Sequence, residues 1–393
     1  MSALARTGEI DLLFVGDIMF NEEFLTPEHA DESPEYYLSQ FKDIFDTSDL
    51  VVANLECVLF KSGSPIWPKS GFRLYSSPDK IMPMLKYMNA KILSMSNNHV
   101  YDFGFEALCE TKVLLEKNGM SSYGAGSDEF ESRRPLVIES NGVRVGFIGY
   151  TIIRIDEAGN VQLATTDRID PENAAHRDYR RDIETDIRAL GSKVDLVVVS
   201  LHWGFEYYQY PSPQQIDLAH AIIEAGANIL IGHHPHCVQG MEEYKGGIIC
   251  YSLGNFFFCN HHRRREYPLY GNESAAARVK YQAGKLLVDA YIGHMDENNR
   301  MLRTLSYEKG HDRLADLSLP LSDSNYVLFW EHYRKVTNRL LRNTHIKNAL
   351  RFAFAPKYYA TICRKVRKKG LLYAFTRVRH KIRNVHVIFK SRR

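Results

Sequence analysis

Apolar runs of strand length recur along the chain and alternate with segments in which apolar residues return every three or four positions. Strands show the first pattern and amphipathic helices the second, so their alternation predicts an α/β layered fold. The helical spacing predicts helices at 105–119 and 212–226, each ending at a glycine that suits a left-handed cap. The apolar runs predict eight strands, at 10–15, 50–53, 91–95, 143–150, 195–201, 228–231, 247–253 and 286–293.

The character of the sequence changes after Pro320. Residues 1–320 carry the α/β pattern, whereas residues 321–393 show Ser and Asp caps followed by helical spacing. We therefore expect an α/β domain over 1–320 and a basic helical extension over 321–393. The last predicted helix, 371–389, has apolar residues spaced by three or four and Arg or Lys largely elsewhere around its circumference, which is typical of an amphipathic cationic helix.

The 393 residues are 45% apolar and 25% charged, a composition of globular rather than disordered proteins. Six cysteines are scattered without a Cys-x-x-Cys pair, which argues against a disulfide framework and against a thiolate zinc site. The first twenty residues lack the pattern of a signal peptide, and no apolar run reaches the roughly eighteen residues of a membrane span. We expect a cytoplasmic protein.

The formal net charge of +3 conceals an uneven distribution. No Asp or Glu follows Glu331, whereas residues 332–393 contain 19 Lys and Arg. The remaining 31 basic residues stand against 47 acidic ones, so residues 1–331 carry a formal charge of −16. The chain thus combines an acidic body with a basic C-terminal segment.

Polar residues of the kinds that bind metals or act in catalysis follow five of the predicted strands. Any one of them could instead serve a turn or a helix cap. Because the carboxyl ends of strands in an open α/β sheet gather ligands at one edge, the whole set predicts a metal or catalytic site there. These residues are Asp17, Asn54, Glu56, Asn97, Asn98, His99, His202, Glu206 and the histidines at 233, 234 and 236.

Three histidines lie within four positions in the stretch IGHHPHCVQG, residues 231–240. Pro235 excludes a continuing helix and biases His234 towards extended backbone. Residues two apart in an extended chain face the same side, about 6.6 Å apart along it. His234 and His236 are therefore predicted to reach one site, and His233 to point the other way. Imidazole and carboxylate ligands suit Zn, Mn, Fe or Ni, and this number of ligands favours two ions bridged by a carboxylate.

Six short motifs carry a resemblance to a known family. They are GD (16–17), NLE (54–56), NNHVYDFG (97–104), HWGFEY (202–207), GANILIGHHPHCVQG (226–240) and YSLGNF (251–256). In this order they resemble the CapA family, which is associated with poly-γ-glutamate capsule synthesis and is in turn similar to the calcineurin-like metallophosphoesterases. The resemblance covers about residues 9–260 and implies a four-layer sandwich of two mixed sheets flanked by helices, in a protein of capsule or exopolysaccharide assembly.

Carried over residue by residue, the resemblance implies a pair of divalent metal ions whose identity, Mn, Fe or Zn, the ligands do not distinguish. Three positions depart from the metallophosphoesterase pattern. Met19 stands where a histidine ligand is usual, Glu56 replaces the bridging aspartate, and Asn97 replaces the glycine of the Gly-Asn-His signature. The six implied ligands are Asp17, Glu56, Asn98, His202, His234 and His236.

The resemblance also implies that His99 protonates the leaving group. Asp102, three residues on, is placed to orient that imidazole, to cap the helix that follows, or to do both. Trp203, Glu206 and Asn255 are candidate substrate contacts beside the predicted rim. Trp203 could instead belong to the core, as aromatic residues at strand ends often do, and Glu206 could be a solvated carboxylate.

Three functions remain open at this stage. The first is a metal-dependent phosphoester hydrolase, and the second is a metal-dependent hydrolase of γ-glutamyl amides, since paired metals also serve aminopeptidases. The third is a non-catalytic scaffold that binds polymer within a capsule synthesis or export machinery. Met19 in a ligand position favours the scaffold, whereas His99 beside Asn98 favours an enzyme.

The expected partners follow from charge and from the resemblance. The substrate is an anionic polymer or a phosphoester, and other capsule synthesis proteins are candidate partners. The cationic, partly apolar segment 332–393 favours an anionic membrane surface, with the protein peripheral on its inner face. Docking on an anionic polymer competes with this, and nucleic acid ranks last because no nucleic-acid module is recognisable. The polar loop 259–274 is a candidate lid.

Overall fold

The computed structural model describes residues 8–20, 33–59, 73–155, 161–163, 180–258, 272–296, 300–303, 307–322 and 324–354. The fold is mixed α/β, as the sequence predicts. The chain divides into two compact units, 1–332 and 333–393. In the second unit the structure describes residues 333–354, which are helical. The helix predicted at 371–389 lies outside the described residues, as does most of the candidate lid at 259–274.

The strands of the described ranges vary from two to thirteen residues. They are β1 (Glu9–Met19), β2 (Leu50–Leu55), β3 (Val58–Leu59), β4 (Tyr75–Ser76), β5 (Ala90–Ser94), β6 (Ser121–Tyr123), β7 (Leu136–Ser140), β8 (Val143–Ile155), β9 (Val161–Leu163), β10 (Leu196–His202), β11 (Ile229–His233), β12 (Met241–Tyr244), β13 (Gly247–Cys250), β14 (Asn255–Phe258), β15 (Glu273–Gln282), β16 (Lys285–Met295) and β17 (Met301–Arg303).

The helices lie between the strands and at the C-terminal end of the described chain. None of those described combines the length and apolar character needed to cross a membrane. They are α1 (Pro34–Leu38), α2 (Lys42–Asp46), α3 (Pro78–Tyr87), α4 (Gly104–Lys117), α5 (Glu129–Ser132), α6 (Arg180–Gly191), α7 (Pro213–Glu224), α8 (Tyr307–Ser318) and α9 (Tyr326–Phe354), with 3-10 turns at Ser39–Phe41 and Leu319–Ser322.

Two large sheets form the first unit. The first has the order β17-β16-β15-β1-β2-β5-β6, with β14 also paired to β1, and the second has the order β12-β13-β11-β10-β8-β7, with β9 paired to β8. Parallel pairing joins β1, β2, β5, β6 and β14 in the first sheet and β8, β10, β11 and β13 in the second. The remaining strands of both sheets pair antiparallel. The parallel strands of each sheet therefore end at a common edge.

The apolar side chains form three main clusters, and the alternation along β1 explains two of them. Leu12 and Phe14 of β1 share a cluster with Phe147 of β8, so this cluster joins the two sheets. Leu13 and Val15 point to the opposite face, where they belong to a cluster that contains residues of α1 to α4. The third cluster packs α6 and α7 against the second sheet. Each sheet is thus buried on both faces around its parallel strands, as near-continuous apolar runs require.

All eight predicted strands and both predicted helices overlap observed elements. The sequence patterns missed β7, β12, β14 and β15, as well as α3 and α6. β7 alternates between partly buried and exposed residues at the edge of its sheet, and β15 contains three consecutive alanines, which have low strand propensity. β14 has four residues, too few for a periodic signal.

Two glycines allow strands to approach closely near the edge where the parallel strands end. A Cβ atom at Gly16 would lie 2.0 Å from the carbonyl oxygen of Gly254, beside the hydrogen bond that Asp17 N donates to that same oxygen. A Cβ atom at Gly232 would lie 1.9 Å from the carbonyl oxygen of Tyr251. Neither position can carry a side chain without moving backbone, and both precede residues of the candidate site.

Gly16→Ala is expected to lower the free energy of unfolding by more than about 2 kcal/mol, because a backbone carbonyl rather than a flexible side chain must move. Gly191→Ala is the matched control, since its Cβ meets only Val197, at 3.7 Å, and the change is expected to alter stability by less than about 0.5 kcal/mol. Urea denaturation followed by circular dichroism measures both. Equal midpoints for the two variants would contradict the close approach at Gly16.

Candidate metal centre

The ends of the parallel strands bring the predicted residues together. Asp17 of β1 is in register with Asn54 of β2 and with Asn255 of β14 in the first sheet. His202 of β10 is in register with His233 of β11 in the second. Parallel pairing places these positions side by side, and the loops that leave the strands add Glu56, Asn98, His99, His234 and His236.

Glu56 lies among the imidazoles. Its backbone N–H donates to the carbonyl oxygen of Ile18, 3.0 Å away, which fixes the residue beside the end of β1. The side chain has no exposed surface, and its Oε1 lies 3.6 Å from His202 Nε2, 3.7 Å from His236 Nε2 and 3.9 Å from His99 Nε2. All three separations exceed a normal hydrogen bond, and the shortest, to His202, also falls within the range expected for two ligands of one cation.

A first donor group consists of Glu56, His202 and His234, whose ligand atoms all lie within 4.8 Å of one another. His202 Nε2 lies 3.1 Å from His234 Nδ1 and 2.8 Å from the amide oxygen of Asn98. Ligand atoms about 2.0 to 2.2 Å from an ion and about 90 to 110° apart are separated by roughly 2.8 to 3.6 Å. The separations of His202 Nε2 from Glu56, His234 and Asn98 therefore fit ligands of one divalent cation.

A second donor group consists of Asp17, Glu56 and His236. His236 Nδ1 lies 3.5 Å from Asp17 Oδ2 and 2.8 Å from Asn255 Oδ1, so the ring's other nitrogen is the one that faces Glu56. Met19, at the position where the resemblance implies a further ligand, is wholly buried in the apolar cluster on the helical side of the first sheet. This group fits a cation with three protein donors, one fewer than the first group.

Burial lowers the pKa of His202 well below its usual value of 6.5, and the neighbouring imidazoles lower it further. Burial and then the charge of His236 lower the pKa of His234 to about 4. Burial acts to raise the pKa of Asp17, but His233 and His236 outweigh it and the net pKa is lowered. At neutral pH the imidazoles of His202 and His234 are therefore neutral and Asp17 is ionised, which are the forms that bind metal.

The turn after β11 differs from the prediction. His234 and His236 have positive φ angles of 94° and 56°, so the chain is not extended there, yet both rings face the donor groups. The expectation that His233 points the other way is wrong, because its Nδ1 lies 3.0 Å from Asp17 Oδ1. The reason is that β11 continues to His233, which places this ring beside the end of β1.

His99 and Asp102 lie against each other at the side of the two donor groups. His99 Nδ1 lies 2.6 Å from Asp102 Oδ2, and the same oxygen accepts a 2.8 Å hydrogen bond from the backbone N–H of Leu74. Asp102 is buried, whereas His99 is partly exposed. Helix α4 follows Phe103 without a side-chain cap, so the alternative interpretation of Asp102 as a helix cap is wrong.

The three candidate substrate contacts have different surroundings. Trp203 has no exposed surface, and its indole N–H donates to the carbonyl oxygen of Tyr251 at 3.1 Å, so the prediction of a substrate contact is wrong and the core alternative holds. Glu206 is exposed and close enough to His234 for its charge to act on that imidazole. Asn255 lies against His236, where it orients the ring.

Residues 11–260 match the model of a family described as bacterial capsule synthesis protein PGA_cap. The matched stretch makes up more than half of the chain. It contains both donor groups, Asn98 and the His99–Asp102 pair.

Curated relatives carry capsule-related names. A capsule biosynthesis protein CapA of Bacillus anthracis is 30% identical over 264 residues, which cover 64% of this chain and 60% of the relative. A PGA biosynthesis protein CapA of Bacillus subtilis (strain 168) is 31% identical over 251 residues, which cover 62% of each chain. A probable polyglutamine synthesis accessory protein of Mycobacterium tuberculosis is 28% identical over 212 residues, covering 53% of this chain and 55% of the relative. The chain thus spans about three-fifths of the length of the first two relatives.

Two solved structures are similar at low scores. A hypothetical protein of Thermus thermophilus gives a TM-score of 0.40 at 17% identity, covering 72% of this chain and 98% of that chain. A 5'-nucleotidase of Candida albicans gives 0.37 at 10% identity, covering 86% and 58%. Likeness at these scores carries no argument about fold or activity.

Changing both His234 and His236 to Ala removes one imidazole from each donor group, and we expect the doubly substituted chain to lose stoichiometric binding of Mn²⁺ or Zn²⁺. Elemental analysis after dialysis against each ion measures the loss. His220→Ala is the matched control, because His220 pairs with Glu242 at 2.9 Å, outside both groups, and should keep the parent's metal content. Equal metal content in the double variant and the control would contradict the ligand assignment.

Proposed function

Because the chain belongs to the bacterial capsule synthesis protein family PGA_cap, we propose that it acts in capsule or exopolysaccharide assembly of the poly-γ-glutamate type as a metal-dependent phosphoester hydrolase. The capsule-related names of the curated relatives support the process. The donor groups at the strand ends and the adjoining His99–Asp102 pair support the chemistry.

The proposal includes the architecture that the resemblance implies. Three apolar clusters, one joining the sheets and one between each sheet and its helices, support a four-layer calcineurin-like sandwich. The division into an α/β domain over 1–320 and a basic helical extension over 321–393 is part of the same proposal. It is supported by the charge distribution and by the helical residues 326–354.

The observation that carries the proposal is the position of Glu56. One oxygen of this buried carboxylate lies 3.6 to 3.9 Å from the nitrogens of His202, His236 and His99. His202 belongs to the first donor group and His236 to the second, so Glu56 is the residue that both groups share. A carboxylate shared by the two donor groups supports the proposal of a two-ion centre.

The first ion would be held by Glu56, Asn98, His202 and His234, and the second by Asp17, Glu56 and His236. When bound, a pair of divalent ions activates water and neutralises the charge that develops on the phosphoryl oxygens in an in-line displacement.

His99 is proposed to donate a proton to the departing alkoxide. Because the 2.6 Å contact with Asp102 engages His99 Nδ1, the proton is proposed to leave from Nε2. Nε2 lies on the side of the ring that faces Glu56, and therefore beside the place where a scissile bond would lie. Asp102 in turn is held by the Leu74 backbone, so the imidazole is fixed in one orientation.

Two alternatives keep specific support. The non-catalytic scaffold is supported by the second donor group, which has three protein donors because Met19 is buried in the core. Hydrolysis of a γ-glutamyl amide is compatible with the same paired donors, since paired metals serve aminopeptidases as well. An anionic polymer substrate and other capsule proteins as partners are proposed on the strength of the relatives' names.

His99→Gln is expected to lower metal-dependent turnover of phenyl phosphate by about 10² to 10⁴, because general acid catalysis contributes that much. The loss should be smaller for p-nitrophenyl phosphate, whose leaving group departs without protonation. Assays with added Mn²⁺ measure both, with γ-glutamyl p-nitroanilide as the substrate that tests the amide alternative. His220→Gln is the matched control and should behave as the parent does.

A parent without metal-dependent activity on any of the three substrates would favour the scaffold. Equal losses on both phosphates would contradict the role of His99 as the acid.

The basic segment is proposed to hold the protein on an anionic membrane surface. Each Lys or Arg near such a surface contributes about 1 kcal/mol, so replacing five with Gln should weaken binding at least a hundredfold. Co-sedimentation with phosphatidylserine-containing vesicles measures this, and vesicles of phosphatidylcholine alone are the control. Unchanged sedimentation would remove the membrane from the proposal. The five are Arg364, Lys365, Arg367, Lys368 and Lys369.

A further inference from the structure

Two buried asparagines connect the second donor group to His99 through consecutive hydrogen bonds. The backbone N–H of His99 donates to Asn97 Oδ1 at 3.1 Å, and Asn97 Nδ2 donates to Asn54 Oδ1 at 3.3 Å. Asn54 Nδ2 then donates to Asp17 Oδ1 at 2.8 Å. Asn54 and Asn97 are 0% and 2% exposed, so water has almost no access to either amide.

The orientation of each amide in this series is determined by the backbone. Asn97 Nδ2 also donates to the carbonyl oxygen of Leu55 at 2.8 Å, and a carbonyl can only accept. At the other end of the same amide, the N–H of His99 can only donate, so the oxygen of Asn97 must face it. With Asn97 fixed, Asn54 must turn its oxygen towards Asn97 and its NH₂ group towards Asp17.

We propose that Asn54 and Asn97 are positioning residues that fix Asp17 and His99 relative to each other, an inference that rests on the proposed metal centre and general acid. No substrate contact is assigned to either asparagine. All three hydrogen bonds donate in the same direction, from His99 towards the Asp17 carboxylate. Bonds aligned in this way polarise one another, and the low dielectric of a buried site strengthens them.

At Asp17 the consequence is that the two carboxylate oxygens have different partners. Oδ1 accepts from Asn54 Nδ2 and lies 3.0 Å from His233 Nδ1, whereas Oδ2 accepts from the backbone N–H of His234 at 3.4 Å and lies 3.5 Å from His236 Nδ1. These contacts restrict rotation of the carboxylate that belongs to the second donor group. The second group has three donors, against four in the first when the Asn98 amide beside His202 is counted, and the contacts that orient Asp17 therefore bear directly on its affinity for a cation.

At His99 the consequence is a fixed backbone. Asn97 holds the N–H of His99, and Asp102 holds its ring at Nδ1. The imidazole is therefore positioned from both ends, with Nε2 facing Glu56. Glycine, which stands at the position of Asn97 in the metallophosphoesterase signature, has no side chain to make either connection.

The test uses three variants of the full chain. Asn97→Gly removes the two bonds of the series that Asn97 makes, so Asn54 loses the partner that fixes its amide although it can still donate to Asp17. Asn54→Leu removes the donor to Asp17 while Asn97 keeps its bonds to Leu55 and His99. Asn89→Gly is the matched control, because Asn89 has a positive φ of 53° that glycine accepts and lies outside the series. Thermal melts establish that each variant folds, and Asn54→Ser, too short to span to Asp17, replaces Asn54→Leu if the latter does not.

Two measurements that do not depend on enzymatic activity distinguish the positioning of Asp17 from the positioning of His99. Calorimetric titration with Zn²⁺ measures the affinity of the ion that binds more weakly, which is expected to be the one at the second donor group. Histidine-selective ¹⁵N spectra report the environment of the His99 ring, whose signal is assigned by its loss in His99→Gln. Asn97→Gly should lower the affinity about tenfold or more and should also shift or split the His99 signal. Asn54→Leu should lower the affinity to a similar extent but leave the His99 signal as in the parent. Asn89→Gly should change neither.

Parent-like affinity and a parent-like His99 signal in Asn97→Gly would overturn the proposal. Equal disturbance of both readouts by Asn54→Leu and Asn97→Gly would also overturn it, because a general loosening of the site would then account for both. A parent that binds no Zn²⁺ would instead defeat the proposed metal centre. In that case the His99 signal still decides whether Asn97 positions the imidazole.

Discussion

Two carboxylates without exposed surface, Asp17 and Glu56, lie beside imidazoles at the edge where the parallel strands of both sheets end. Burying an ionised carboxylate is costly unless cations or hydrogen bonds compensate it. His202 and His234 provide no positive charge at neutral pH, because their lowered pKa values keep them neutral. In the proposed centre, a divalent cation would supply further positive charge and would take the imidazole nitrogens as ligands. The proposed activity, the role of His99 and the two positioning asparagines all depend on this compensation.

The convergence of these side chains was predictable from sequence because it follows from one rule about parallel strands. Asp17, Glu56 and His202 each stand at or just beyond the end of an apolar run, and parallel pairing must bring such positions to a common edge. The turn at 233–236 was not predictable in the same way. The positive φ angles of His234 and His236 are unusual for residues other than glycine. The alternation of side chains expected in an extended strand predicted that His233 faces away from Asp17, which is wrong.

The fold shows the same contrast between strong and weak local signals. Strands buried on both faces, such as β1 and β10, have continuous apolar sequences and were predicted. β15, which pairs with β1 along seven residues, escaped prediction because its three consecutive alanines, buried on both faces of the sheet, have low strand propensity. For Trp203 the sequence predicted a place in the site, whereas the residue lies in the core. Its place beside His202 predicted a substrate contact, but the backbone turns after β10 and the indole stacks on Tyr251 in the core.

The central claim is that Glu56 and its neighbouring imidazoles bind a divalent cation. Anomalous diffraction from crystals of the full chain soaked in Mn²⁺ tests it most directly. We expect an anomalous peak about 2.0 to 2.2 Å from Glu56 Oε1, His202 Nε2 and His234 Nδ1. Crystals in which these side chains keep the positions described, with Mn²⁺ ordered only elsewhere or not at all, would contradict the account.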